Sequence, residues 1–275
     1  MKPPRFDYVR ADSVEEAVEV LAKHGDEARV LAGGQSLMAM LNMRMLAPEV
    51  IVDISRVPAL STITHAGGAI EIGAAVTQAA AQRCGELARH LPLVARALPF
   101  VGHYQTRARG TICGSIAHAD PSSELPLCLA TLEGEVVLHS SRGTRVLVSS
   151  DFQQDVLTTA CEPDEMIVAV RFPLHEPGDG CAFTEFGIRH GDFAIVAVAV
   201  LASATRVRMG IGGCSDRPHV AEFPPLAGDA LAREMNALAW SLPFDDDHHA
   251  SARYRRDLVR ILGRETVEAA IRCRE

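Results

Sequence analysis

Glycine and hydroxyl residues suited to anion binding are concentrated in residues 110–126, GTICGSIAHADPSSELP. Gly110 and Gly114 flank Thr111, and Ser115 follows directly. Backbone amides and hydroxyls can therefore approach an extended anionic ligand without an intervening side chain. This composition is typical of a phosphate cradle. The same residues also fit a simple Gly/Ser-rich turn that leads into a core helix, because a motif match is only a hypothesis.

Two acidic residues follow these glycines. Ser122 or Ser123 can cap a helix that has leucines between positions 125 and 132. Asp120 and Glu124 then lie at the junction between loop and helix, where they can accept hydrogen bonds. Acceptors beside a phosphate cradle suit a ligand that carries its own donors, such as ribose hydroxyls or a ring imide.

A second glycine turn lies near the N-terminus, in the segment VLAGGQSL of residues 30–37. An apolar run enters Gly33-Gly34, and Ser36 begins a Leu/Met-rich segment of helical character. A strand, a tight turn and a helix start form the geometry in which free backbone N–H groups meet a pyrophosphate. The fingerprint G-x-G-x-x-G is absent, since Gln35 directly follows the second glycine, and this disfavours a Rossmann fold.

Four segments, in order along the chain, resemble the FAD-binding subunit of the molybdenum hydroxylases. This family includes the flavoprotein chains of carbon monoxide dehydrogenase, xanthine dehydrogenase and bacterial N-heteroaromatic hydroxylases. Ala32–Leu37 is similar to the family's A-G-G-x-S-L, and Thr111–Pro126 to its T-I-G-G-[NS]-[IL]-A-x-A-D-P-x-x-[DE]-L-P. Arg189–Ala194 resembles its R-x-G-D-[FW]-A, and Tyr254–Arg256 resembles its Y-R-R-x-L ending.

The resemblance implies FAD as the cofactor and gives its binding residues position by position. It also implies that substrate chemistry occurs on a partner chain, so no catalytic residue is expected here. At or near Ile167 the family makes a backbone contact to the flavin ring. The implied FAD-binding residues are Leu31, Ala32, Gly33, Gly34, Gln35, Ser36, Leu37, Val101, Thr111, Gly114, Ser115, His118, Asp120, Glu124, Ile167 and Glu185.

Two residues depart from the family pattern and two arginines add charge. Cys113 stands where relatives often have the first glycine of a pair, so backbone approach to a phosphate is slightly less free. Glu185 falls where many relatives carry a lysine, so this chain lacks that cation. Arg107 and Arg109 could lend positive charge to a pyrophosphate, and they fit equally well as solvated arginines.

The hydrophobic pattern and the resemblance together predict an α+β fold. A two-part FAD-binding domain is expected, with a small parallel βαβ unit in residues 1–56. Its second part, residues 57–175, is expected to hold a mixed or antiparallel sheet with helices. A small C-terminal domain of antiparallel sheet and helices follows in residues 176–275. The main boundary is Pro173 to Gly180, which contains two prolines and two glycines.

Turn residues and periodicity predict individual elements within these parts. Gly67-Gly68 predicts an antiparallel hairpin. Met38, Leu41 and Met45 are interpreted as the buried side of the helix after the turn at residues 33–34. The last elements expected are a hairpin that ends at residues 212–218 and helices over residues 231–242 and 248–272.

No metal site is predicted. Seven cysteines are scattered without C-x-x-C or C-x4-C spacing, so neither a zinc site nor an iron–sulfur cluster is expected on this chain. The run DDDHH at residues 245–249 looks like a metal site, but consecutive residues do not converge on one ion. The N-terminal dipole of a following helix explains the aspartates. His90 and His103 have no partner at ligand spacing.

The partners follow from what the chain lacks. A bound flavin needs an electron source, and this sequence has no cluster-binding cysteine spacing and no nicotinamide fingerprint. The resemblance implies a [2Fe-2S] small subunit and a molybdopterin large subunit, in a heterotrimer or a dimer of heterotrimers. The alternative is a flavin-less assembly or ligand-binding module of the same fold.

Composition excludes some classes of partner. Hydrophobic residues make up 48% of the 275, which is ample for a core, and no run reaches the ~20 apolar residues of a membrane span. A net charge of -8 argues against a nucleic-acid partner. The start of the sequence has no apolar signal-peptide region, so we expect a cytoplasmic protein.

Overall fold

A small parallel sheet forms the first part of the chain in the computed structural model, which describes residues 2–274. Its elements are β1 (Asp7–Arg10), α1 (Val14–His24), β2 (Ala28–Leu31), α2 (Leu37–Asn42) and β3 (Val50–Asp53). The spatial order is β1-β3-β2, and both pairs are parallel. Parallel neighbours need crossover connections, which α1 and α2 provide. The predicted parallel unit is confirmed.

The two helices of this part follow the sequence signals to different degrees. Ser13 caps α1, because its Oγ accepts a hydrogen bond from the Glu16 amide at 3.1 Å. The Glu16 carboxylate accepts one from the Asp12 amide at 2.8 Å. Leu41 of α2 is fully buried, but Met45, which follows the end of this helix at Asn42, is 60% exposed. The interpretation of Met45 as a core residue is wrong, because α2 ends before it.

A five-stranded antiparallel sheet forms the second part. Two short strands, β8 (Gln153–Asp155) and β9 (Thr158–Thr159), form a separate pair before the last strand of this sheet. The five strands of the sheet are β4 (Ile63–Ala66), β5 (Ala69–Gly73), β6 (Glu135–Ser140), β7 (Gly143–Val148) and β10 (Met166–Pro173). The spatial order is β4-β5-β10-β6-β7. Gly67 and Gly68 have φ of 56° and 86°, as a two-residue hairpin turn with positive φ at both positions requires. A bulge interrupts the pairing of β10 with β6 between Ile167 and Ala169.

Short helices fill the connection between β5 and β6 and cover this sheet. One of these helices begins at Pro92. Proline suits the first turn of a helix because the amide it lacks would have no intrahelical partner. These helices are α3 (Gln78–Arg83), α4 (Gly85–His90), α5 (Pro92–Ala97), α6 (Tyr104–Arg107), α7 (Ile112–His118) and α8 (Glu124–Thr131), and one further short helix, α9 (Ser149–Phe152), follows β7.

An antiparallel sheet with two helices forms the last part. Its elements are β11 (Gly180–Phe186), β12 (Val196–Ala202), β13 (Val207–Gly212), β14 (His219–Phe223), α10 (Gly228–Ser241) and α11 (Ala252–Arg272), with the strands in sequential order. The edge strand β14 was not predicted from the sequence. This edge strand pairs only with β13, and of its five residues only Phe223 is buried, so it lacks the apolar alternation that predicts a strand.

The helix α11 begins four residues later than predicted. The carboxylate of Asp247 accepts hydrogen bonds from the amides of His249 and Ala250, and that of Asp246 accepts one from Ala252. These bonds hold residues 248–251 outside the helix, so the aspartates bind local backbone amides. Within residues 2–274, no helix is both long enough and apolar enough to cross a membrane.

The strand β12 lies between two hydrophobic cores. Ala197 and Ala199 are fully buried in the core shared with the second part, whereas Val198 is fully buried in the core formed with α10 and α11. This division follows the alternation of side chains along a strand. Gly210 of the adjoining β13 leaves room for α8, since a Cβ there would lie 2.8 Å from Cδ1 of Leu127.

Candidate functional site

A cavity of about 660 Å³ lies where the three parts of the chain meet. One wall is the turn after β2, a second is the stretch from Val101 through α7, and a third is formed by residues 161–167 at the start of β10. Residues 191–193 of the last part complete the lining. The volume lies within the range of about 300–1,000 Å³ that is typical of small-molecule and cofactor sites.

Most of the predicted FAD-binding residues line this cavity. The three exceptions are Leu31, Asp120 and Glu185. Leu31 ends β2 beneath the turn, the Asp120 carboxylate accepts a hydrogen bond from the Ser122 amide at 2.8 Å, and Glu185 lies on β11. The predicted residues in the lining are Ala32, Gly33, Gly34, Gln35, Ser36, Leu37, Val101, Thr111, Gly114, Ser115, His118, Glu124 and Ile167.

The glycine turn at residues 33–37 presents a row of free backbone amides. No carbonyl or side chain within residues 2–274 accepts a hydrogen bond from the amides of these five residues. All five line the cavity. Gly34 has φ of 71°, the left-handed conformation that glycine adopts without strain. Successive free amides in such a turn, at the start of a helix, are a ready anion-binding site.

Gly33 lets the two glycine segments touch. A Cβ on Gly33 would clash with the carbonyl oxygen of Arg109 and would lie 2.7 Å from Cα of Gly110. Backbone atoms of the second segment therefore fill the space beside Gly33. Its lack of a side chain is explained by this contact between two turns, independently of any ligand.

The second glycine segment is a capped helix, where the sequence suggested an open loop. Thr111 Oγ1 accepts a hydrogen bond from the Gly114 amide at 2.9 Å, which caps α7. The Gly114 amide is therefore already used. Neither predicted serine supplies a side-chain cap for α8: Ser123 occupies the cap position without such a bond. Asp120 shapes this junction through its bond to the Ser122 amide.

Two glutamates beside the cavity lie in surroundings that disfavour their charge. Glu124 lines the cavity and is only 5% exposed. Burial raises the pKa of Glu124 to about 7, and the charge of Asp120 adds to this while Arg107 opposes it. Burial, and then the charge of Glu124, raise the pKa of Glu185 to about 8. Oε2 of Glu185 is buried without a hydrogen-bond partner in the described part of the chain.

Other titratable groups in the lining behave differently. Arg145 donates hydrogen bonds to both carboxylate oxygens of Glu165, at 2.8 and 2.7 Å. Burial opposes ionisation of Glu165, but these bonds outweigh it and hold its pKa below the ordinary value. Burial lowers the pKa of His118, against the charge of Asp120, so its imidazole is neutral at neutral pH. Glu124 and Glu185 are thus the acids here that keep a proton near neutrality.

Neither Arg107 nor Arg109 lies in the cavity lining. The Arg107 guanidinium donates to the carbonyls of Val101 and Gly102 at 3.1 and 2.9 Å, so it holds the backbone that precedes α6. Arg109 lies in a separate hollow beside Arg10 and other residues. The suggestion that these arginines meet a pyrophosphate is therefore not supported by their positions.

Several lining residues were not among those predicted. Gly191, Asp192 and Phe193 belong to the third segment that carried the family resemblance, so the signal was present although no site residue was assigned there. Gln78 also lines the cavity. Its Oε1 is buried without a hydrogen-bond partner among residues 2–274, and its Nε2 donates a hydrogen bond to the Thr111 carbonyl. No sequence motif points to Gln78.

Comparison with known proteins agrees with this geometry. The profile of a family described as the FAD binding domain in molybdopterin dehydrogenase matches residues 4–175. The chain is 36% identical to the 6-hydroxypseudooxynicotine dehydrogenase complex subunit alpha of Paenarthrobacter nicotinovorans, over 98% of this chain and 96% of that one.

Two solved structures are similar along the whole chain. Reconstituted CO dehydrogenase from Oligotropha carboxidovorans superposes with a TM-score of 0.95 at 30% identity, covering 99% of this chain and 100% of the other. Quinoline 2-oxidoreductase from Pseudomonas putida 86 gives a TM-score of 0.93 at 30% identity, covering 99% of both chains.

The chain belongs to the family of FAD-binding subunits of the molybdenum hydroxylases. The predicted family, the α+β fold and the assignment as an FAD-binding oxidoreductase subunit are thereby confirmed. The residues present fit FAD, because the cavity has the size of a cofactor site and the free amides of residues 33–37 form a cradle for an anionic group.

Proposed function

We propose that this chain holds FAD in the cavity between its three parts and passes electrons from a partner's [2Fe-2S] clusters to an external acceptor. The observation that carries the proposal is the row of free amides at residues 33–37, which is suited to the FAD pyrophosphate. When bound, FAD supplies the electron-transfer chemistry that links the clusters to the acceptor. The thirteen predicted residues that line the cavity are its proposed contacts.

The chain's own residues have distinct proposed roles. The amides of residues 33–37 bind the anionic part of the cofactor. Ser115, Ile167 and the neutral His118 surround the remaining cavity space. Glu124 holds a proton in the cavity wall, where it can donate a hydrogen bond. Phe193 lines the cavity but is 60% exposed, so it lies at the border with solvent.

The complex that we propose contains a [2Fe-2S] small subunit and a molybdopterin large subunit, as a heterotrimer or a dimer of heterotrimers. Subunit relatives such as the 6-hydroxypseudooxynicotine dehydrogenase chain support a multi-subunit enzyme. We further propose an N-heteroaromatic substrate for the complex. Two relatives are named for 6-hydroxypseudooxynicotine and for quinoline, and this supports such a substrate, whereas the CO dehydrogenase relative shows that the fold also serves other substrates.

We infer the same domain division from the sheets as from the sequence. Residues 1–56 and 57–175 would form the two parts of the FAD-binding domain, and residues 176–275 the C-terminal domain. Each range contains one of the three main sheets. The placement of cavity residues in all three ranges supports a site that needs the whole chain.

The experiment that tests the function has two stages. The purified chain should be yellow and should release stoichiometric FAD on denaturation, measured by absorbance and chromatography. It should not oxidise a substrate such as quinoline with an artificial acceptor until both partner chains are added. A colourless chain in an otherwise complete and active complex would support the flavin-less assembly module. Substrate oxidation by the single chain at the rate of the complex would replace the subunit assignment with a self-contained oxidase.

A further inference from the structure

Two histidines and a glutamate converge on the surface away from the cavity lining. His65 lies on β4, and Glu86 and His90 lie four residues apart on α4. Nε2 of His90 is 3.3 Å and Nε2 of His65 is 3.7 Å from Oε2 of Glu86. One ligand atom from each side chain lies within 4.8 Å of the others. The sequence analysis gave His90 no ligand partner, because His65 is distant along the chain.

These distances match the edges of a metal coordination tetrahedron. Zinc binds histidine nitrogen and carboxylate oxygen at about 2.0–2.2 Å, which places neighbouring ligand atoms about 3.3–3.5 Å apart. The two Nε2 atoms are 3.3 and 3.7 Å from Oε2 of Glu86, close to this edge length. Both Nε2 atoms lie within 3.7 Å of the same carboxylate oxygen, so both face one point in space, and the two ring centroids are 5.0 Å apart.

The chemistry of the three ligands indicates the kind of ion. Imidazole nitrogen favours zinc and similar transition metals, whereas magnesium and calcium prefer sets of oxygen ligands. Three protein ligands leave a fourth position open to water. The side chains are accessible, with 53% of His65, 58% of Glu86 and 30% of His90 exposed. Arg89 is the other charged group here, 3.9 Å from the second oxygen of Glu86, so it leaves Oε2 available.

We propose that His65, Glu86 and His90 form a zinc-class divalent metal site on this chain. The ion connects the β4–β5 hairpin to α4, two elements that are also linked through residues 174–175, whose amides donate hydrogen bonds to the carbonyls of Gly68 and His90. Binding therefore stabilises this corner of the second part.

The test uses the full-length, tag-free chain with its FAD and titrates ZnCl2 by calorimetry and CoCl2 by visible absorption. One ion should bind per chain, with a tetrahedral Co²⁺ spectrum and an increase in Tm. His65→Ala and His90→Ala should each weaken binding by roughly tenfold or more. The double variant His248→Ala/His249→Ala is the matched control, since it removes the adjacent histidines of the DDDHH run, and it should bind normally.

Two results would overturn the proposal. One is unchanged zinc affinity in both His65→Ala and His90→Ala, which would show that any bound ion is held elsewhere on the chain. The other is loss of binding in the His248→Ala/His249→Ala control alone. FAD content is measured in every variant and should not change, so failure of the metal site is distinguishable from failure of the proposed FAD function.

Discussion

Replacing Glu124 with glutamine should remove much of the pH dependence of this protein's stability. Glu124 has a pKa of about 7 in the folded chain, against 4.5 for an ordinary glutamate, because it is buried. A raised pKa means that folding favours the protonated form. The resulting contribution to stability is fully present below about pH 4.5 and is lost as the pH rises through about 7. Glutamine resembles the protonated acid and does not ionise.

The size of the effect follows from the shift. The pKa of Glu124 rises from 4.5 to about 7, which is a difference of about 2.5. At about 1.4 kcal/mol per unit, the native chain should lose about 3 kcal/mol of unfolding free energy between pH 4.5 and pH 8 through this residue. Near pH 5, the Glu124→Gln variant should therefore have about the same unfolding free energy as the native chain. At pH 8 its unfolding free energy should be higher by up to about 3 kcal/mol. The variant also removes a charge that raises the pKa of Glu185.

Urea unfolding of the FAD-free chain, followed by circular dichroism from pH 5 to pH 8.5, measures this difference. Glu19→Gln is the control, because Glu19 is exposed on α1 and its replacement should not change the pH profile. If the Glu124→Gln curve runs parallel to the native curve at every pH, the acid is not protonated in the folded protein and the reasoning is wrong.

Three further outcomes are expected. Gly34→Val should lose FAD, measured by flavin absorbance, because φ of 71° does not suit a β-branched residue; Gly178→Val, at φ of 87° in an open turn, should keep it. Phe172→Ala should lower the unfolding free energy by about 3–5 kcal/mol in urea titrations, since Phe172 is fully buried. Arg107→Ala should cost about 2–3 kcal/mol in the same assay, because three carbonyls lose a charged donor.

Local signals in the sequence predicted much of the fold. Paired glycines at residues 67–68 specified a hairpin turn, since this effect operates within a few residues. The strand-turn-helix around Gly33 and Gly34 was recognisable for the same reason. The cavity residues of the two glycine segments were therefore accessible to sequence reasoning.

The features that were missed depend on contacts between distant residues. Glu124 on α8 and Glu185 on β11 influence each other only after the chain folds, and His65 meets His90 in the same way. The sequence alone does not show that the space beside Gly33 is filled by backbone from the second glycine segment. Burial and tertiary approach decide these properties, and neither is encoded in a short motif.

The two-sided packing of β12 has a consequence for protein engineering. The face that carries Ala197 and Ala199 joins the core of the second part, and the bare backbone at Gly210 receives Leu127 of α8. A chimera that takes residues 176–275 from a relative places that relative's β12 and β13 against α8 of this chain. Residues 124–131, which form α8, must then be exchanged together with residues 176–275. Chimeras between this subunit and a relative are thus best built with α8 inside the transferred set.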